Sequence, residues 1–88
     1  MGQVTAYECR ASGIPWNFSP VLDLGRQPLW SRHFETLGED PYLCTQMGAA
    51  LVKGYQGSTK EVDNFHVAAC LKHFVGYSAS FSGRDRTP

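Results

Sequence analysis

An α/β fold is predicted for this 88-residue chain: one βαβ unit with a preceding helix. Three features carry that expectation. "WNFSPVLDL" sets aromatic and β-branched residues between prolines, as a short strand does. Asp40 and Pro41 form a helix start, and apolar residues follow at helical spacing. "VAACL", Val67 to Leu71, is an uninterrupted apolar run, the pattern of a parallel strand covered on both faces by helices.

In chain order, residues 1–12 place Val4, Tyr7 and Ala11 on one helical face, with Gly13 as the stop. A strand is expected near Trp16–Ser19, leading out through Val21–Leu24 with Asp23 at its exit. Residues 25–40 mix charges and aromatics without a period, which predicts a long loop of the kind that carries function. The next helix starts at Asp40-Pro41, turns Leu43, Met47, Ala50, Leu51 and Gly54 toward a core, and ends at Gly54 or Gly57. A polar link over 58–66 leads to the Val67–Leu71 strand. Two strands cannot close a sheet, so the chain is expected to be an internal fragment, residues 1–88, of a larger α/β domain.

Composition limits the partners. Eight basic residues balance eight acidic ones, so neither nucleic acid nor a membrane surface is expected to be held by bulk charge. No apolar run reaches the roughly 18–20 residues of a membrane helix, and "MGQVTAYECR" lacks the layout of a signal peptide; the visible chain reads as soluble, its compartment open. Cys9, Cys44 and Cys70 are odd in number and widely spaced, which predicts buried free thiols, with no metal or other cofactor implied. Nucleotide-binding and nucleophile-elbow motifs are missing, and His33, His66 and His73 lack zinc-site spacing.

In parallel α/β architectures, ligands bind at the carboxyl ends of the strands. Lys72 and His73 stand there, with Asp23 at the same end of the neighbouring strand. Position alone leaves two readings open, ligand donors at a functional rim or a surface-facing cap of the strand. Arg32, Lys72 and His73 together offer fork, point-charge and ring donors suited to neutral, hydroxyl-rich ligands such as sugars.

"WNFSPVLDL", "PLWSRHFETLGEDPYL", "GYQG" and "VAACLKHFVGY" together resemble the amino-terminal barrel domain of glycoside hydrolase family 3, in order and across nearly the whole chain. The resemblance implies a partial TIM-type (β/α)8 barrel and, in the parent protein, a retaining, exo-acting β-glycosidase of β-glucosidase or β-xylosidase kind. The substrate would be an oligosaccharide or β-glycoside. It also implies that the rest of the barrel and a second domain complete the parent chain, and that the catalytic nucleophile and acid/base lie outside these residues.

Within the chain, the resemblance assigns substrate binding to Arg32, Lys72 and His73, on hydroxyls of the outermost sugar. Gln27, Leu29 and Ser31 depart from the family's usual Asp, Arg and Gly, while Arg32 is retained. Glu35 is expected to orient the loop's cations, and Asp85 and Arg86 to brace the tail by local pairing. Tyr77 occupies the place of the acid/base histidine in the N-acetylhexosaminidase-like members, which removes that role from this segment. A non-catalytic remnant or carbohydrate-binding module lacking the nucleophile is the alternative reading.

Overall fold

Helix α1, Gly2–Ala11, opens the chain in a computed structural model that describes residues 1–58 and 63–86. It stops where Ser12 turns its hydroxyl back to the Glu8 carbonyl, at 3.0 Å, and Gly13 takes a positive φ of 79°. The buried face is not the expected one. Gly2 and Ala6 point inward while Val4 and Tyr7 are exposed, and the reason is the partner helix. A Cβ on Gly2 would stand 2.8 Å from the Leu51 carbonyl oxygen, so only the smallest residues fit where the two helices touch. Tyr7 instead stacks on Phe65, ring centroids 6.3 Å apart.

Helix α2, Pro41–Gln56, begins as its sequence dictates: the Asp40 carboxylate accepts the Tyr42 N–H at 2.9 Å and Pro41 occupies a position whose N–H would have no partner. It ends at Gly57, with φ 77°. Its buried residues are Cys44, Gly48 and Tyr55; of the expected stripe Leu51 packs on the core and Gly54 meets Gly2, whereas Leu43 and Met47 are exposed, so the face is rotated toward Cys44 and Gly48. Gly48 decides this, because a Cβ there would meet Leu22 Cδ2 at 2.7 Å.

The two expected strands are extended segments that run parallel, but among the described residues neither forms a continuous strand. Bridges pair Trp16 with Ala68 and Val21 with Lys72. Between them the first segment holds one residue more than the second, and the extra residue is taken up where the Ser19 N–H closes on the Asn17 carbonyl at 2.9 Å. Pro20, fully buried, has no N–H to offer the ladder. Parallel pairing of two extended segments joined through α2 is therefore what remains of the strand expectation; among the described residues two isolated bridges take the place of a continuous barrel sheet. The polar link of 58–66 lies partly outside the described residues.

Ala6, Tyr55 and Val67 form the centre of the core, with Cys9, Leu51 and Ala69 packed around it. "GYQG" at the end of α2 organises this junction. Gly54 meets Gly2 across the helix crossing, and the Tyr55 hydroxyl lies 3.1 Å from Ser19 Oγ on the first segment. The Tyr55 carbonyl accepts the Val67 N–H, Gln56 Oε1 accepts the Ala69 N–H, and Gly57 caps the helix. Cys44 is buried, whereas Cys9 and Cys70 are only partly so; all three are free thiols. Burial pushes the Cys44 thiol up from its ordinary pKa. No helix among the described residues is long and apolar enough to cross a membrane.

Candidate sugar-binding site

The loop of residues 25–40 is pinned at its neck, where the Gly25 N–H donates to the Gly38 carbonyl at 2.8 Å. Gly25 has no room for a side chain there, because a Cβ would lie 2.5 Å from Thr36 Oγ1. Inside the neck, Gln27 does the turn-making: Oε1 accepts the Leu29 N–H at 3.1 Å and its carbonyl accepts the Trp30 N–H at 3.1 Å. Trp30 is buried, and a single 3₁₀ turn, His33–Glu35, follows it. Closed ends and a side chain packed within are the marks of an Ω-loop, a rigid carrier for what it presents.

It presents Arg32. The guanidinium grips Glu35 in fork geometry, Nε to Oε2 at 2.5 Å and Nη2 to Oε1 at 2.8 Å. These hydrogen bonds raise the arginine pKa above its ordinary value and hold the Glu35 carboxyl below its own, with the positive charge of Lys72 adding to the effect on Glu35. Since Glu35 is depressed, the clamp contributes stability above the unfolded-state pKa, and that contribution is lost as pH falls through the folded value. A carbon NMR titration should place the Glu35 midpoint below 4.5, and Glu35→Gln should remove this part of the acid-side loss of stability. A midpoint at or above 4.5 would contradict the clamp.

Lys72 and His73 end the second segment. The Lys72 backbone is fixed on both sides, its N–H donating to the Pro20 carbonyl at 3.2 Å and its carbonyl accepting the Leu22 N–H at 2.7 Å. The Lys72–His73 and Phe74–Val75 peptides are cis. His73 is held by Asp23, whose Oδ2 accepts the backbone N–H at 3.0 Å and lies 2.6 Å from Nδ1.

Tyr77 joins the two groups. Following Gly76 in the left-handed region, its ring stands edge-on to His73 at 4.8 Å and to Trp30 at 5.0 Å, and the Arg32 guanidinium carbon lies 5.6 Å from the ring centroid. Its hydroxyl donates to Asp85 Oδ1 at 2.5 Å, and Arg86 Nε approaches the same carboxylate at 3.8 Å. A chain of contacts thus runs Glu35, Arg32, Tyr77, His73, Asp23.

The three sequence-assigned residues are not gathered into one cavity. Lys72 and His73 line a cleft of about 650 Å³ with Leu22, Asp23 and Phe74, whereas Arg32 lies beyond Tyr77 and outside its lining. Two residues of this arrangement were not assigned as site residues from sequence. Asp23 had a usable signal, its place at the exit of the segment beside His73; Tyr77 had none beyond its departure from histidine, because ring packing from three sides is a tertiary property. Among the described residues no cluster of three or more His, Cys, Asp or Glu could hold a metal ion.

The family model for the glycosyl hydrolase family 3 N-terminal domain matches residues 1–88. The chain belongs to this family. The lysosomal beta glucosidase of Dictyostelium discoideum is 53% identical over 89 residues, covering 97% of this chain and 11% of the relative. The periplasmic beta-glucosidase of Salmonella typhimurium is 38% identical over 85 residues, again 97% of this chain and 11% of that protein. Among solved structures, a beta-glucosidase of intestinal bacteria involved in saponin metabolism superposes with a TM-score of 0.91 at 46% identity, covering 96% of this chain and 11% of that one. A beta-glucosidase from Listeria innocua in complex with glucose gives 0.89 at 44% identity, with coverages of 93% and 12%. The family 3 chain described here thus spans about a tenth of the length of the relatives it matches.

Proposed function

We propose that this segment supplies the sugar-binding side of the outermost subsite in a retaining, exo-acting β-glycosidase of β-glucosidase type. The observation that carries the reading is the contact chain through Tyr77, which ties loop-borne Arg32 to rim-borne His73 while Lys72 shares the field at Glu35. Relatives named as beta-glucosidases, one of them solved with glucose, support it. In this reading the two parallel segments are neighbouring staves of a (β/α)8-type barrel completed by the rest of the parent chain. Donors aimed at hydroxyls orient the ring, and their hold strengthens as charge develops at the anomeric carbon.

Retention needs two carboxyls about 5–5.5 Å apart, one attacking and one protonating the leaving oxygen. Glu35 is committed to Arg32 and Asp23 to His73, so both roles are assigned to residues beyond this chain. On an aryl β-glucoside the parent protein should release the β-anomer first, seen by proton NMR before mutarotation. The 88-residue chain alone should give no turnover. First release of the α-anomer, or turnover by the isolated chain free of contaminant, would contradict the proposal.

A further inference from the structure

Asp23 is more buried than a rim carboxylate needs to be. Its side chain is 2% exposed while that of its partner His73 is 24% exposed, and the two are brought together only by the parallel pairing of the two segments. A strand-end cap would require one contact, from the backbone N–H. Here the same oxygen, Oδ2, also lies 2.6 Å from the ring nitrogen Nδ1.

We infer that Asp23 is a positioning residue that fixes both the orientation and the tautomer of His73, leaving Nε2 as the nitrogen presented to substrate. The inference rests on the sugar-binding reading of His73. A carboxylate only accepts hydrogen bonds, so Nδ1 carries the proton. In the neutral ring Nε2 is then an acceptor, since Nδ1 is the nitrogen engaged by Asp23. Acting as an acceptor, His73 takes a hydrogen bond from a sugar hydroxyl, while neighbouring Lys72 can only donate. The pair can therefore grip adjacent hydroxyls with opposite polarity, one accepting from and one donating to the ring. Asp23 confers that polarity without touching the sugar.

The test is a mutant cycle in the full-length protein, assayed on p-nitrophenyl β-glucoside. His73→Ala, Asp23→Ala, the double variant and Asp23→Asn are compared, with thermal unfolding run on each. Asp23→Ala should lower kcat/KM by about 10–100-fold, as a misdirected ring does. Asp23→Asn should recover most of that loss, because an amide oxygen can still accept both N–H groups. The double variant should be no worse than His73→Ala alone. Asp23→Ala kinetics within about threefold of the parent, with His73→Ala impaired, would overturn this inference and leave the site reading standing. A double variant whose loss is the product of the single losses would overturn it too, by showing that Asp23 acts independently of His73. Parent-like kinetics for His73→Ala would overturn the site reading itself.

Discussion

Replacing Arg32 or Lys72 by alanine in the full-length protein is expected to lower kcat/KM by about 10²–10³-fold while leaving the fold intact, since hydrogen bonds to sugar hydroxyls that tighten in the transition state are worth several kcal/mol. Both side chains sit on backbone that does not depend on them. Arg32 lies in a loop closed at Gly25 and Gly38, and the Lys72 backbone is pinned by Pro20 and Leu22. The two losses should differ in kind. Lysine at position 32 should not restore activity, because a point charge cannot reproduce the fork held by Glu35. Arginine at position 72 keeps the charge and should retain more. Steady-state kinetics with circular dichroism as the folding check decide the matter, and near-parent kinetics for both alanine variants would remove Arg32 and Lys72 from the site.

The largest effect on stability is expected at Gly54. A Cβ there would fall 2.9 Å from the Gly2 Cα and 3.0 Å from the Gln3 nitrogen, both backbone atoms that cannot rotate away. Gly54→Val should force α1 and α2 apart and cost about 1–3 kcal/mol or more, as overpacking does. Gly48→Ala provides the contrast, because the nearest atom is the Leu22 side-chain tip, which has other rotamers to adopt. Denaturant midpoints of the full-length protein should fall clearly for the first and less for the second. Equal midpoints would mean that the helix crossing is not the tight point.

What the sequence revealed depended on whether a feature is local. Asp40-Pro41 caps a helix by chemistry contained within three residues, and that helix starts where expected. Which side of it faces inward is not local: Gly54 goes in as its spacing predicts, but Gly48 is drawn to the contact with Leu22 by its lack of a side chain, a preference that hydrophobic periodicity cannot register. For the same reason Val4 and Tyr7 stay outside on α1 while Gly2 and Ala6 go in. The apolar run of Val67–Leu71 marked an extended segment parallel to the first one but not a strand covered on both faces, because Leu71 is exposed and the ladder is broken by the extra residue and Pro20 opposite. Among the departures in the loop, Gln27 serves the backbone by accepting the Leu29 N–H.

For the site, residue type and order in the sequence point to sugar binding, and "GYQG" shows how a motif that marks the family can also organise the fold. Its residues hold α2 against α1 and both extended segments. Asp23 and Tyr77 became visible only through contacts made across long stretches of chain.

The most direct test is a structure of the full-length protein with glucose bound. Arg32 Nη atoms, Lys72 Nζ and His73 Nε2 should lie within about 2.7–3.2 Å of hydroxyls on a single sugar, with His73 Nδ1 still on Asp23. Glucose seated in the catalytic pocket with these three side chains out of hydrogen-bond reach would contradict the assignment.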